Sequence, residues 1–129
     1  MVVIDNNIVL NRINFMQLLK QNDSIIIFKL GAKWCGPCKY INDHVINHVY
    51  NLNKNIVYYD IDVDKHPDLY SFLKSRKQLI GVPTLLAYYN GNDSFSSDLS
   101  FSGSDLESLA VFFNKINSNY DLMLIGSIK

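Results

Sequence analysis

Hydrophobic and polar positions change period along the chain, and each change marks an element. Ser24 to Leu30 is apolar at nearly every position and β-branched at Ile25, Ile26 and Ile27, the pattern of a strand buried on both faces of a parallel sheet. Ahead of it, Ile8 to Leu10 reads as a short first strand. Asn11 to Gln21 carries Ile13, Met16, Leu18 and Leu19 near helical spacing behind an asparagine that can cap. After Gly31, Cys38 to Leu52 places Ile41, Val45, Val49 and Leu52 at steps of three and four, which predicts a second helix. Ile56 to Val63 alternates Tyr59, Ile61 and Val63 against Tyr58, Asp60 and Asp62, a third strand. Pro67 opens a short helix whose Leu69, Phe72 and Leu73 face inward. Thr84 to Tyr89 is a strand, Asn90-Gly91 a hairpin turn signal, and a last strand ends near Phe101, where Gly103 bends the chain away. Ser104 with Glu107 forms a capping box for a helix over residues 105–116 that buries Leu106, Leu109, Phe113 and Ile116. The order βαβαβαββα predicts an α/β protein with helices on both faces of a central mixed sheet and right-handed crossovers in its parallel part.

Length and composition narrow the function. A chain of 129 residues holds one domain, with residues 120–129 an extension beyond the last predicted helix. At 48% hydrophobic residues it has enough apolar material to fold. Twelve basic against twelve acidic residues leave no excess of positive charge for binding phosphates, so nucleic acid is not an expected partner. The longest apolar runs fall far short of the ~18 residues a membrane helix needs, so no membrane association is expected. The start, Met1-Val2-Val3-Ile4-Asp5, lacks the basic and apolar regions of a signal peptide, which predicts a protein of the reducing cytoplasm. Abundant Asn and Ile with a single Glu, Glu107, is the usage of an AT-rich genome, such as a protist's or a large DNA virus's. For a virus, host cytoplasm or virion would be the location.

In that compartment, two cysteines point to redox chemistry or metal binding before a structural staple. Cys35-Gly36-Pro37-Cys38 lies where an apolar strand ends and a helix begins, so the first sulfur is expected to be exposed at a helix N-terminus. Free N–H groups and the helix dipole there stabilise a thiolate. The three-residue offset stacks both sulfurs on one face of the first turn, and Pro37 fits a turn that has no use for its missing N–H. The alternatives are a pair of ordinary core cysteines or a zinc site, for which only His44, His48 and His66 could complete four ligands. His44 and His48 do not lie beside the first turn and read as a solvated helix face.

These residues resemble a known family: Trp34-Cys35-Gly36-Pro37-Cys38-Lys39 is similar to the active-site motif of the thioredoxins. Gly81-Val82-Pro83-Thr84 resembles their cis-proline loop, Asn90-Gly91 the hairpin after it, Gly103 the glycine of their substrate groove, and residues 60–64 their central strand. The resemblance spans about residues 8–119 and implies a thioredoxin fold and a thiol-disulfide oxidoreductase. By position, Cys35 would be the nucleophile that attacks a substrate disulfide and Cys38 the buried thiol that resolves the mixed disulfide. Pro83, after a cis bond from Val82, would close the groove opposite the sulfurs, with Trp34, Gly36, Pro37, Val82 and Gly103 completing the substrate-binding surface. The Gly-Pro dipeptide implies a reductant of protein disulfides, recharged by a flavin- and NADPH-dependent thioredoxin reductase. It would need no metal or bound cofactor of its own and would serve electron transport and cell redox homeostasis. The alternative is a thioredoxin-fold adaptor without turnover.

The chain departs from the family pattern in places. Lys29 stands where the family has a buried carboxylate, and Asp43 where it has a kink proline. The stretch from Asp64 to Pro83 is also longer. Aligning the strand that ends at Asp64 puts Asp60 where the family has a lysine, so the two charges are exchanged. Lys29 and Asp60 are therefore expected to pair across adjacent strands, with Asp60 the candidate proton acceptor for Cys38. The extension, with Leu122, Met123, Leu124, Ile125 and Ile128, is expected to pack back on its own domain, or else on a partner. A monomer is expected, with weak dimerisation as the alternative.

Overall fold

The computed structural model describes residues 2–4 and 9–126, with side chains for 9–126. The elements run β1 (Val2–Ile4), α1 (Arg12–Gln21), β2 (Ile25–Gly31), α2 (Gly36–Tyr50), β3 (Val57–Asp62), a 3-10 turn (Val63–Lys65), α3 (Pro67–Ser75), β4 (Thr84–Tyr89), β5 (Leu99–Ser102) and α4 (Leu106–Gly126). The strands form one five-stranded sheet in the order β1-β3-β2-β4-β5. β1, β3 and β2 are parallel and β4 and β5 antiparallel. Among the described residues no helix is long and apolar enough to cross a membrane.

Alternation along the strands explains how one sheet feeds two cores. Ile25 and Ile27 of β2 point to the face covered by α2 and α4, where they meet Ile41, Val45, Leu109 and Phe113. Ile26, Phe28 and Leu30 point to the other face, against Phe15 and Leu19 of α1 and Leu69 and Leu73 of α3. All seven residues of β2 are buried, as expected of a central strand with helices on both sides. By the same parity Lys29 belongs with Ile25 and Ile27, under α2. The polar stripe expected on β3 is in part core: Tyr58 is fully buried among the residues of the α2 and α4 face, because β3 too is covered on both sides.

The first strand and the last helix differ most from the sequence reading. Val9 and Leu10 are not in a strand, Ile8 lies outside the described residues, and β1 is formed by Val2–Ile4 instead. Three apolar residues carry too little periodicity to choose between these two segments. α4 is capped by Asp105, whose carboxylate accepts from the Ser108 N–H at 3.1 Å and from its hydroxyl at 2.6 Å, in place of the Ser104–Glu107 box. It also runs ten residues past Ile116, to Gly126, so the extension begins as further turns of the same helix. Tyr120 is buried and its hydroxyl accepts from Asn55 Nδ2 at 3.1 Å, while Met123 packs on the core. Leu122, Leu124 and Ile125 are exposed, and Ile128 lies outside the described residues.

Candidate active site

β2 ends at Gly31 and the chain turns into α2, whose N-cap is Cys35. Its sulfur accepts the Cys38 backbone N–H at 3.1 Å, so the cysteine caps the helix with the atom that would become a thiolate. Gly36 and Pro37 form the exposed start of the helix, where the missing proline N–H costs nothing. Cys35 and Cys38 are joined as a disulfide, with Cα atoms 5.2 Å apart.

The opposite wall is the loop before β4. The Val82–Pro83 bond is cis, and the Val82 carbonyl lies 3.7 Å from the Cys35 sulfur. The loop is held from three sides. Thr84 Oγ1 donates to the Gly81 carbonyl at 2.7 Å and lies 3.0 Å from Ser102 Oγ, and the Gly103 N–H donates to the Pro83 carbonyl at 3.2 Å. Gly103 reaches that carbonyl with φ of +99°, a conformation side chains disfavour. Thr84 belongs to the Gly81–Thr84 motif, but its contact with Ser102 escaped the sequence reading because it depends on a cross-strand register, Thr84 opposite Ser102, which no local motif encodes.

One placement corrects an expectation. Cys35 is buried, at 3% exposure, because its sulfur is bonded inward to Cys38 and faced by the Val82 carbonyl. Trp34 is 67% exposed, its indole N–H donating to Asp64 Oδ2 at 3.0 Å. Asp64 thus holds the tryptophan. Beyond the cysteines, His48 stacks on Phe113 with centroids 4.8 Å apart, which accounts for one of the two histidines read as a solvated face. Among the described residues no three His, Cys, Asp or Glu side chains gather as a metal would require.

Behind Cys38 the expected ion pair is present. Lys29, only 5% exposed, lies 3.8 Å from Asp60 Oδ2, and the two residues are in direct register across β2 and β3. The ammonium has a closer partner that sequence reasoning missed: it donates to Asn42 Oδ1 at 2.9 Å. Asn42 lies one turn after Cys38 on α2. Lys29, Asn42, Asp60 and Cys38 all line one cavity of about 300 Å³. Burial pushes the Asp60 carboxyl above the usual carboxylate range; Lys29 pulls it back down and Asp62 adds to the rise.

Fold and site together define an α/β protein that carries a redox-capable cysteine pair on the first turn of a helix, opposite a cis-proline loop. Residues 6–117 match the thioredoxin family, and the chain belongs to it. It is 37% identical over 75 residues to thioredoxin 3 of Plasmodium falciparum, covering 58% of this chain and 38% of that one. To thioredoxin AMT13 of Alternaria alternata it is 32% identical over 81 residues, 63% of this chain and 64% of that one. The aligned stretch thus spans less than two thirds of the length of these relatives. The reduced thioredoxin pre-protein of Schistosoma mansoni superposes with a TM-score of 0.67 at 18% identity, over 90% of this chain and 99% of that one, a likeness of fold.

Proposed function

We propose that the protein is a dithiol reductant of protein disulfides that works through Cys35 and Cys38. The observation that carries this reading is the Cys35–Cys38 disulfide on the first turn of α2, facing the cis Val82–Pro83 loop. In the reduced protein the Cys35 thiolate, stabilised by the Cys38 N–H and the helix N-terminus, attacks one sulfur of a substrate disulfide. A Cys35–substrate bond forms, the substrate S–S bond breaks, and one substrate thiolate leaves. Cys38 then loses its proton and attacks the Cys35 sulfur. The Cys35–Cys38 bond forms, the second substrate thiolate leaves, and two electrons have passed to the substrate.

Asp60 is the proton acceptor for Cys38 in this reading, since it lines the same cavity and its raised affinity for protons suits it to the task. Lys29 is its charge partner. Trp34, Gly36, Pro37, Val82, Pro83 and Gly103 form the surface on which an extended substrate segment lies, the Val82 backbone offering it hydrogen bonds. Membership of the family supports a flavin- and NADPH-dependent thioredoxin reductase as the source of electrons. The cytoplasm is the proposed place of work. No observation favours the adaptor reading. Turbidity of insulin in the presence of dithiothreitol tests the proposal: the protein accelerates precipitation of the reduced chains, and no acceleration would overturn it.

A further inference from the structure

A buried cation lines the same cavity as the resolving sulfur. Lys29 Cε and Cys38 Sγ both border Gly31, at 4.0 and 3.6 Å from the position that a side chain there would occupy, so the glycine leaves the same space to both. The ammonium is buried and hydrogen-bonded to Asn42 at 2.9 Å. Asn42 is neutral, so it fixes the direction of the charge without cancelling it. Asp60, at 3.8 Å, is beyond hydrogen-bond length, and its side chain is 35% exposed where that of Lys29 is 6% exposed, so solvent screens the carboxylate more than the ammonium. The other charges on the cavity are Lys33 before α2, Lys39 on α2 and Asp62 on β3. Lys33 and Lys39 are exposed and of the same sign as Lys29; Asp62 opposes them.

We propose that Asn42 is a positioning residue for the resolving step: it holds the Lys29 ammonium in the cavity behind Cys38, where the fixed positive charge favours the Cys38 thiolate. The inference rests on the exchange reaction proposed above, in which that thiolate attacks the Cys35 sulfur, the Cys35–Cys38 bond forms and the bond from Cys35 to substrate breaks. Its own content is electrostatic. Two unit charges sharing a cavity of this size, at the effective permittivity of a partly open site, interact strongly enough to change an acid dissociation constant on the order of tenfold.

The test uses a Cys35→Ser background, in which Cys38 is the sole thiol, and follows thiolate absorbance against pH. Asn42→Asp puts a carboxylate directly on the ammonium and is expected to raise the midpoint by about one pH unit, a tenfold weaker acid. Asn42→Ala leaves Lys29 free to turn away and shifts the midpoint the same way by less. Lys29→Met shifts it at least as far as Asn42→Asp. Asn42 is an exposed helix position, so its variants retain the fold even if Lys29→Met does not, which circular dichroism checks. Coincident titration curves for the parent and both Asn42 variants overturn the positioning role. A wild-type protein that fails to reduce insulin strikes instead at the reductant reading, and leaves the titration as it stands.

Discussion

The hydrogen bond that anchors the buried Lys29 ammonium goes to Asn42, at 2.9 Å, and so to the helix that carries Cys38. The carboxylate of Asp60, opposite it in the sheet, is 3.8 Å away. This division decides what removing the carboxylate does. Stranding a buried charge costs roughly 3–5 kcal/mol, but Lys29 keeps its amide partner when the carboxylate is removed. Asp60→Asn is therefore expected to cost no more than about 1–2 kcal/mol in a denaturant melt. A loss near 4 kcal/mol would show that the ion pair, and not the amide, holds the lysine.

The two cysteines differ in what their loss leaves behind. Cys35→Ser removes the nucleophile that attacks the substrate disulfide and is expected to abolish insulin reduction. Cys38→Ser leaves attack intact and removes resolution, so it accumulates a covalent adduct with a disulfide substrate, visible as added mass. No adduct in Cys38→Ser, alongside turnover by the wild type, would reverse the two roles.

The raised Asp60 gives the reaction a pH signature. Only the ionised carboxylate accepts a proton, so the single-turnover rate of resolution should fall as pH drops through a value above the ordinary aspartate range. Asp60→Asn removes that acidic limb along with the faster rate at neutral pH. The stability effect has the opposite sense. A carboxyl whose folded pKa exceeds its unfolded one stabilises the fold most below the unfolded value, and that contribution is lost as pH rises through the folded one. The stability of wild type relative to Asp60→Asn should therefore fall as pH rises through the folded value.

Trp34 offers its own readout, since it is the chain's one tryptophan. Its indole is exposed yet tied to Asp64 at 3.0 Å. Asp64→Ala cuts the tie, which should lower the anisotropy of tryptophan emission and raise KM for a protein disulfide more than it lowers kcat. Unchanged anisotropy would mean that packing, not the hydrogen bond, orients the ring.

What could be read from the residues alone divides along physical lines. β2, β4, α3 and the cysteine turn were legible because their signals are local: an unbroken apolar run, a proline at a helix start, glycine and proline between two cysteines. The pairing of Lys29 with Asp60 came from alignment with a known pattern. Asn42 and Ser102, with the contact that Thr84 makes to Ser102, were not legible, because each depends on a partner brought near only by register or helix packing. Tyr58 was assigned to a polar stripe because its flanking residues on that stripe are aspartates, yet a sheet covered on both faces buries either parity.

The last helix shows the same limit and yields a contrast that can be measured. Sequence alone gave residues 120–129 as an apolar extension, whereas α4 carries straight through to Gly126 and sorts its residues by face. Tyr120 is 6% exposed, lies in the core with Phe113 and Ile116, and accepts a hydrogen bond from Asn55. Leu122, two positions on and on the other side of the helix, is 61% exposed. Tyr120→Ala should therefore cost about 3 kcal/mol or more, the range for removing a buried aromatic side chain, and leave the Asn55 amide without its partner. Leu122→Gln should stay within about 0.5 kcal/mol, as surface substitutions do. Deletion of residues 120–129 is expected to match Tyr120→Ala, since Met123 adds only partial burial. A destabilisation by Leu122→Gln comparable to that of Tyr120→Ala would mean that the exposed face of α4 is covered in solution, and sedimentation of the two variants would then separate association from folding.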